Sequence, residues 1–590
     1  MSVHSLRLAL VQMNSIVGDL TANARRITEG IAYARSRSAD VVVFPELALC
    51  GYPPEDLLLS ARFLRECRRS LDALIPHTRG ITAIVGIPEW DADPYNAAAV
   101  LHDGQLVRMV RKHFLPNYGV FDEERYFQRG TGTTVFTRKG VTFGVSVCED
   151  IWYPDGPPAW QALHGDASLL INLSASPYER GKREHRRHML ETRAADCNAM
   201  VAFVNTVGGQ DELVFDGGSL VCDAKGRTLF EADRFVEGCY VHDCVVDSVM
   251  GNRLQDPRRR KARLQEGEPA LFREHLSEPT PEPADPTGGG DGVSQDAAGD
   301  WAPLPAARDL SDEAEIYEAL KLGLRDYVTK NGFKDVLIGV SGGIDSALTA
   351  AIAVDALGPD RVHAITMPTR FSSEETRSDA AHLAELLGIR CDTIPVEGLF
   401  ESYLAQLKPL FGDKPWNEAE ENIQARIRGT LLMAVSNKHG PLVLTTGNKS
   451  EVSVGYATLY GDMAGGFSVL KDVFKTWVYR LAVYRNTLSP AIPVSTIERP
   501  PTAELRLDQK DQDSLPPYDV LDGILEAYVE ENIGAEEIIA RGFDAATVER
   551  IVHLVGRSEY KRRQAAPGVK ISSRAFGRDR RLPITNGYKG

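Results

Sequence analysis

The chain has 590 residues, of which 43% are hydrophobic and 25% charged, so it is too long for one core but has an ordinary globular composition. Its net charge of −15 argues against a general nucleic-acid or membrane surface. The sequence shows no apolar run of the ~20 residues that cross a bilayer and no signal-peptide pattern, and its eight cysteines form no CxxC pair. We therefore predict a multidomain cytoplasmic protein with neither a zinc framework nor a disulfide scaffold.

The first half of the chain alternates short apolar runs with stretches of helical length. A helix is predicted near residues 21–37, and the predicted strands read LRLALVQM, ADVVVFPE, AIVGIPE, VTFGVSVCED, ASLLINLSAS and MVAFVNTVGG. Short strands separated by helices indicate a layered α/β domain.

Three chemically suggestive side chains stand where predicted strands of this half give way to loops. Glu46 ends one strand, Lys112 precedes a Pro-Asn-Tyr-Gly turn, and Cys148 ends a third strand. A thiolate at Cys148 can attack an amide carbon while Glu46 transfers the proton and Lys112 stabilises the oxyanion. A Cys-His pair with His113 is the competing arrangement, and a buried structural thiol is the non-catalytic alternative.

The ordered motifs FPE, RKxxLPNYGVFDE and VCEDIWYP resemble the nitrilase superfamily, and in particular its glutaminase branch, over residues 5 to about 260. The resemblance implies an α-β-β-α sandwich with Glu46 as base, Lys112 as oxyanion support and Cys148 as nucleophile. The stretch NLSASPYERGKREHR is similar to the glutamine-binding segment of that family. The glutamine contacts it implies are Tyr118, Ser176 and Lys182.

A segment rich in Pro, Gly and Asp, from about residue 278 to 305, separates the two halves. This composition buries too little apolar surface to offset the entropy of ordering, so we predict a linker or mobile surface loop. The predicted domains are residues 1–270 and 308–590, joined by a linker over residues 271–307.

The second half contains four nearly continuous apolar runs, DVLIGVS, RVHAITMP, IRCDTIPV and LVLTTGN, separated by amphipathic helical stretches. This pattern predicts a doubly wound parallel sheet covered by helices on both faces. The region after residue 500 is more charged and is predicted to form helices and lids around that sheet.

The first of these strands runs into Ser341-Gly342-Gly343-Ile344-Asp345-Ser346 and then into an alanine-rich helix. The glycines permit close backbone approach, the helix start offers free N–H groups to an anion, and Asp345 offers a hard oxygen ligand for Mg²⁺. The pattern is not a Walker A motif, which requires GxxxxGK[ST]. A tight turn with a helix cap is the alternative.

The glycine-serine corner resembles the pyrophosphate loop of the N-type ATP pyrophosphatases, which transfer AMP to an acceptor oxygen. With LVLTTGNKSEVSVGY, ENIQARIRGTLLMAVSN and GDMAGGFSVLKDVFKTWVY in this order, the sequence from about residue 310 resembles NAD synthetase. The resemblance implies metal ligation by Asp345 and Glu451. The deamido-NAD contacts it implies are Asn422, Arg426, Glu451 and Lys561. The ATP contacts it implies are Gly339, Val340, Ser341, Gly342, Gly343, Ile344, Asp345, Ser346, Thr446, Lys471 and Thr502.

Together, the two halves resemble the glutamine-dependent NAD synthetase family. The resemblance implies that glutamine, ATP and deamido-NAD are substrates, that Mg²⁺ assists, and that ammonia moves inside the protein between the two reactions. It also implies a homo-oligomer built from dimers, up to an octamer, without nucleic-acid or membrane partners. The alternative is an ammonia-only NAD synthetase that carries a silent nitrilase-like assembly module.

Overall fold

The computed structural model describes residues 4–265, 270–278, 301, 307–501, 504–506 and 511–588. Within these residues the chain forms two compact units. The first unit contains residues up to 210 and from 215 to 309, and the second contains 211–214 and everything from residue 310 onward. Most of the predicted linker lies outside the described residues, although its first residues, Leu271–His275, form a strand.

The chain up to residue 275 forms six helices and fifteen strands among the described residues. In chain order they are β1 Ser5–Gln12, α1 Leu20–Ser36, β2 Val41–Val43, α2 Ala61–Leu74, β3 Thr82–Asp91, β4 Asp93–His102, β5 Gln105–Arg111, β6 Thr133–Arg138, β7 Val141–Val147, α3 Pro157–Leu163, β8 Leu169–Ser174, α4 Lys182–Cys197, β9 Met200–Asn205, β10 Val207–Gln210, β11 Leu213–Asp216, β12 Leu220–Cys222, β13 Thr228–Glu231, β14 Gly238–Val245, α5 Asp247–Gln255, α6 Pro257–Gln265 and β15 Leu271–His275.

The first unit consists of two stacked sheets with helices on their outer faces. One sheet has the strand order β14-β1-β2-β3-β4-β5, and the other has the order β13-β12-β9-β8-β7-β6-β15. The core between them combines side chains of both sheets, such as Leu8 and Leu10 with Phe143 and Val145. Helices α1 and α2 pack on the first sheet and α3 and α4 on the second, so the predicted α-β-β-α sandwich is confirmed.

The second unit forms twelve helices and five strands among its described residues. They are α7 Asp312–Lys330, β16 Val336–Gly339, α8 Ile344–Leu357, β17 Val362–Thr366, α9 Glu374–Leu387, β18 Arg390–Thr393, α10 Glu397–Phe411, α11 Glu418–His439, β19 Leu442–Thr445, α12 Lys449–Val454, β20 Phe467–Ser468, α13 Lys475–Leu488, α14 Val494–Glu498, α15 Tyr518–Leu525, α16 Ala535–Ala540, α17 Ala545–Arg557 and α18 Glu559–Arg562.

The five strands of the second unit form one parallel sheet with the order β18-β17-β16-β19-β20. Side chains of α10 and α11 pack against Leu337, Ile365 and Val443, and the alanine-rich helix α8 packs on β16 and β17. The four strands predicted from sequence are confirmed, and the sheet has the parallel order expected of a doubly wound domain. Among the described residues, no helix is long and apolar enough to cross a membrane.

Candidate active sites

The first candidate site is a buried cluster of charges in the first unit. The Lys112 ammonium donates to Glu46 Oε1 at 2.7 Å and to both oxygens of Glu123, at 2.9 and 2.8 Å. The Lys112 side chain is fully buried, and so are the two carboxylates. Burial acts to lower the pKa of Lys112, but the charges of Glu123 and Glu46 outweigh it and raise the pKa well above its usual value. The ammonium is therefore held in its charged form.

The two carboxylates of this cluster are held by further hydrogen bonds. Asn96 donates to Glu46 Oε1 at 2.7 Å, and the backbone N–H of Ala175 donates to Glu46 Oε2 at 2.9 Å. The Tyr52 hydroxyl donates to Glu123 Oε1 at 2.9 Å. Burial and the charge of Glu46 raise the pKa of Glu123 to about 7, although Lys112 opposes the shift. Glu46 is thus fixed in orientation, which a residue that transfers a proton requires.

Cys148 follows β7 directly and begins a 3₁₀ turn, with a positive φ of 43°. This left-handed backbone conformation is uncommon for a residue with a side chain, and it places Cys148 at a sharp corner. The Asp150 carboxylate fixes the corner: it accepts from the backbone N–H groups of His113, Phe114 and Val147, at 2.9, 3.0 and 3.2 Å. The same carboxylate therefore joins the loop after Lys112 to the turn that carries Cys148.

The pKa of the Cys148 thiol is raised well above its usual value, mainly by burial and then by the charge of Glu46, whereas Lys112 lowers it. These influences show that all three sequence-predicted side chains share one electrostatic environment. His113, the candidate for a Cys-His pair, has its ring nitrogen Nε2 2.6 Å from the Gly132 carbonyl oxygen and its ring edge-to-face with Trp160. This hydrogen bond gives the ring a structural partner, and the geometry favours the Glu-Lys-Cys arrangement.

The residues predicted to bind glutamine lie in two segments of the same unit: the loop after β5, and the stretch from the end of β8 to the first residue of α4. Tyr118 is 57% exposed, and its hydroxyl donates to the buried carboxylate of Glu149, the residue after Cys148, at 3.0 Å. Ser176 follows β8, is buried, and donates its backbone N–H to Asn205 at 2.8 Å. Lys182 is half-buried at the start of α4. Tyr118 therefore contacts the residue that follows Cys148, and Ser176 follows Ala175, whose N–H binds Glu46.

Two members of the cluster, Glu123 and Asn96, were not singled out from the sequence. Glu123 is the last residue of the RKxxLPNYGVFDE motif, so the motif includes this residue. The motif does not indicate that Glu123 contacts Lys112. Asn96 lies inside β4, and nothing in the local sequence marks it.

Gly86 on β3 allows the strand to pass directly behind Glu46. A Cβ at this position would lie 2.3 Å from both Pro45 O and Leu47 N, well inside contact distance, and the obstructing atoms are backbone. We expect Gly86→Ala to displace the Glu46 loop and to lower the activity that the sequence resemblance implies for this cluster, glutamine hydrolysis, by about 100-fold, the loss that follows a shift of about 1 Å at a reacting group. Initial rates of glutamate release measure this.

The matched control for this prediction is Gly251→Ala in α5, where an added Cβ meets no atom within 4 Å. We expect this variant to hydrolyse glutamine at the rate of the unaltered protein. Equal rates in the two variants would show that Glu46 does not depend on the close approach of β3.

The second candidate site lies at the carboxyl ends of the parallel strands in the second unit. Gly342 has a φ of +87°, and a Cβ there would lie 2.2 Å from Thr376 O, so the corner requires glycine. Ser341 Oγ accepts from the Gly343 N–H at 3.2 Å, and the Ser346 hydroxyl donates to Gly343 O at 3.0 Å. The loop therefore forms a compact turn at the start of α8.

A cavity of about 260 Å³ opens beside this loop. Of the residues predicted to contact ATP, Gly339, Val340, Ser341 and Thr446 line it. The remaining lining includes Thr366, Met367 and Arg377, which extend from the carboxyl ends of β17 and the start of α9. Cavities at this edge of an open parallel sheet are where α/β proteins bind nucleotides.

Next to the loop, the Lys475 ammonium lies between two predicted metal ligands. It donates to Asp345 Oδ2 at 2.5 Å and to Glu451 Oε1 at 3.3 Å, and Asn448 donates to Asp345 Oδ1 at 2.8 Å. Burial and the charge of Asp345 raise the pKa of Glu451 to about 8, although the charge of Lys475 acts to lower it. The structure thus brings together Asp345, Glu451 and Lys475.

The donor set of this cluster fits Mg²⁺, which prefers carboxylate oxygens and completes its shell with water and phosphate oxygens. Asp345 and Glu451 supply two such carboxylates, and Lys475 compensates part of their charge. No group of three or more His, Cys, Asp or Glu side chains with metal-binding geometry occurs in the part of the chain that the structure describes.

Three of the residues predicted to contact deamido-NAD surround one loop, residues 455–459. The Lys561 ammonium donates to Gly455 O and Ala457 O, both at 2.7 Å, and Arg426 donates to Leu459 O at 3.2 Å. Asn422 Oδ1 accepts from the Thr458 hydroxyl at 2.6 Å. Burial lowers the pKa of Lys561. The structure therefore brings Asn422, Arg426 and Lys561 together, with Glu451 on the helix that precedes the loop.

Two of the predicted ATP contacts, Lys471 and Thr502, are not among the described residues that lie beside the glycine-serine loop. The Lys471 ammonium is buried, lies 3.3 Å from Glu212 Oε1, and lines a separate cavity with Arg562 and Arg578. Thr502 lies outside the described residues. The assignment of both residues to ATP stays a prediction.

Two family models match the chain. Residues 7–251 match the carbon-nitrogen hydrolase family, and residues 316–565 match the NAD synthase family. The fold and the two sites thus define a chain that joins a carbon-nitrogen hydrolase domain to an NAD synthase domain.

Curated relatives match along the whole chain. A glutamine-dependent NAD(+) synthetase of Thermotoga maritima is 47% identical over 99% of both chains. One from Aquifex aeolicus is 45% identical over 99% of this chain and 100% of its own. The chain belongs to the glutamine-dependent NAD(+) synthetase family.

A solved structure supports the same conclusion. The glutamine-dependent NAD(+) synthetase of Acinetobacter baumannii, determined in complex with ADP, has a TM-score of 0.73 and 41% identity over 99% of both chains.

Proposed function

We propose that this protein converts deamido-NAD to NAD with ATP and with nitrogen taken from glutamine, giving AMP, pyrophosphate and glutamate. The observation that carries the proposal is that one chain holds both a buried Glu-Lys-Cys cluster and a nucleotide-type cavity, and aligns over 99% of its length with synthetases of this kind. The protein is therefore a carbon–nitrogen ligase that uses glutamine as amide donor.

In the first reaction, Cys148 attacks the side-chain amide carbon of glutamine. Glu46 takes the thiol proton and returns it to the departing nitrogen, which leaves as ammonia, and a γ-glutamyl thioester forms on Cys148. The Lys112 ammonium stabilises the negative charge on the amide oxygen in the transition state, and Glu123 keeps that ammonium in place. Water then hydrolyses the thioester to glutamate. Tyr118, Ser176 and Lys182 hold the amino-acid end of the substrate.

In the second reaction, the deamido-NAD carboxylate attacks the α-phosphorus of ATP, and pyrophosphate leaves. The glycine-serine loop with Thr446 holds ATP, while Lys475 neutralises charge on the phosphates. The deamido-NAD side of the site is formed by Asn422, Arg426, Glu451 and Lys561. Three of them, Asn422, Arg426 and Lys561, also hold the 455–459 loop in place. Ammonia then attacks the adenylated carboxyl carbon and displaces AMP. Activation is needed because a carboxylate is a poor electrophile.

We propose Asp345 and Glu451 as the ligands that would hold Mg²⁺ at this site. The ion would supply charge neutralisation on the departing pyrophosphate. Asn448 fixes the orientation of Asp345, and the Lys475 ammonium lies between the two carboxylates.

Ammonia is expected to reach the second reaction without mixing with the solvent. We expect ¹⁵N from amide-labelled glutamine to appear in the nicotinamide carboxamide even when unlabelled ammonium is present, since ammonia passed along an enclosed route reaches the adenylate ahead of ammonia that enters more slowly from the solvent. Mass spectrometry of the NAD product measures the labelled fraction.

The control for this experiment uses ¹⁵N-ammonium with unlabelled glutamine, where the NAD should stay largely unlabelled. A labelled fraction that follows the mixing ratio of the two nitrogen sources would show release into solvent.

The alternative function, an ammonia-only synthetase with a silent first domain, is disfavoured by the complete Glu46–Lys112–Cys148 cluster and by the full-length relatives. We further propose a cytoplasmic location, with which the eight free cysteines agree, and a dimer-based homo-oligomer. Size-exclusion chromatography with light scattering tests the oligomer.

A further inference from the structure

Lys449 is a buried lysine in the helix that carries Glu451. It begins α12, directly after Asn448, whose side chain caps the helix by accepting from the Glu451 N–H at 3.0 Å and also donates to Asp345. The Lys449 side chain is completely buried and is not part of the lining of the neighbouring cavity. Neither reaction described above uses it.

The Lys449 ammonium is fully occupied by protein acceptors. It lies 2.7 Å from Asp472 Oδ1, Glu530 Oε1 and Ser572 Oγ, and 3.1 Å from Arg574 O. Four acceptors surround a group with three N–H donors, so none is left for a phosphate. These four contacts make the ammonium an internal crosslink of the second unit.

The acceptors of Lys449 belong to three segments of the second unit: the loop before Lys475, the helical turn Glu526–Glu530, and the segment that follows α18. Asp472 lies three residues before Lys475, and its carboxylate also accepts from the Ile571 and Ser572 N–H groups, both at 2.8 Å. Ser572 and Arg574 belong to the segment that follows α18. Lys449 therefore joins α12 both to the loop before Lys475 and to this C-terminal segment.

Backbone bonds strengthen the same junction on the side of the active site. The Lys449 N–H donates to Val473 O at 2.9 Å, and the Lys475 N–H donates to Ser450 Oγ at 2.8 Å. Together with the Lys475–Glu451 ion pair, these bonds attach α12 to the 473–475 stretch at three consecutive residues of the helix, 449 to 451.

We infer that Lys449 is a positioning residue for the amidation reaction: its ammonium fixes α12 and the 472–475 loop on the C-terminal segment, and so sets the spacing of Glu451, Asp345 and Lys475. The inference rests on the proposed function. Removal of the ammonium takes away the cation that lies between the buried carboxylates of Asp472 and Glu530, and their mutual repulsion then moves the loop that leads to Lys475.

The test measures NAD formation from ammonia, ATP and deamido-NAD by the full chain with Lys449→Met and Lys449→Arg. We expect Lys449→Met to lower kcat by about 100-fold, the loss associated with a misplacement of about 1 Å, with little change in the KM of either nucleotide. Lys449→Arg retains the charge and N–H donors and is expected to recover part of the lost kcat. Glutamine hydrolysis at Cys148 should stay unchanged in both variants.

A matched control is Arg485→Met, which removes another buried cation of the second unit. Arg485 pairs with both oxygens of Asp355, at 2.6 and 3.0 Å, near the other end of α13. We expect this variant to lower the melting temperature without lowering kcat at a temperature where the protein is folded. A purely structural role for Lys449 predicts the same outcome for Lys449→Met.

The results separate the possibilities. If folded Lys449→Met keeps the kcat of the unaltered protein, the inference is overturned. If Lys449→Met does not fold, Lys449→Arg decides, because it keeps the charge but changes the geometry of the contacts: a lower kcat with unchanged KM supports the positioning role, and an unchanged kcat overturns it. If the unaltered protein forms NAD from neither ammonia nor glutamine, the proposed function itself fails.

Discussion

Replacing Cys148 by alanine is expected to reduce NAD formation from glutamine by at least about 10³-fold and to leave NAD formation from ammonia unchanged. The thiol is the only group of the Glu46–Lys112 cluster that we assign to bond formation with the amide carbon, and loss of a nucleophile removes the covalent route entirely. The second reaction needs only ammonia, so external ammonium bypasses the defect. The measurement is NAD produced with each nitrogen source under otherwise equal conditions.

A suitable control for this prediction is Cys239→Ala. Cys239 lies on β14 and is completely buried, so its replacement costs packing without touching the cluster. We expect this variant to use glutamine and ammonia at the original ratio. If Cys148→Ala still forms NAD from glutamine at the original rate, the assignment of the first site is wrong.

Replacing Asp345 by asparagine is expected to reduce NAD formation from either nitrogen source by at least about 10²-fold, while glutamine hydrolysis continues. Asn448 and Lys475 both hold this carboxylate, and the substitution removes the charge that pairs with the Lys475 ammonium and that would pair with the proposed Mg²⁺. Loss of one preorganised charge at a phosphate-transfer site costs this much or more. Pyrophosphate release and glutamate release, measured in the same samples, separate the two reactions.

Asp355→Asn is the matched control because Asp355 lies on the same helix, α8, and pairs with Arg485 away from the loop. We expect a lower melting temperature and an unchanged turnover number. Retention of pyrophosphate release in Asp345→Asn would contradict the proposed role of the second site.

The sequence was most informative where strands end. Glu46 and Cys148 were found because β2 and β7 are apolar and stop directly before the loops that carry them, although the structure places these two strands in different sheets of the sandwich rather than at one sheet edge. The glycine-serine corner was found for the same reason, since β16 and α8 are both strongly patterned. Local patterns of this kind depend only on residues adjacent in the chain.

The sequence was least informative where long-range pairing decides. Strand β4 was not predicted because its Ala97–Ala99 run favours a helix, and only pairing with β3 and β5 makes it a strand. Glu123 was not singled out because its contact with Lys112 requires the intervening loop to fold back. Lys471 and Lys475 are only four residues apart, but Lys475 pairs with Asp345 whereas Lys471 pairs with Glu212. The spacing of the two lysines does not predict this difference.

The burial of Cys148 has a consequence for the chemical durability of the enzyme. Peroxide and alkylating reagents attack thiolates, and the surroundings of Cys148 raise its pKa so that the sulfur carries its proton at rest. In the proposed reaction, an amide that enters beside Glu46 and Lys112 meets a base already in place, whereas a freely diffusing oxidant meets a neutral and buried sulfur. We therefore expect the burial that makes Cys148 depend on the proposed base also to protect it from oxidation between turnovers.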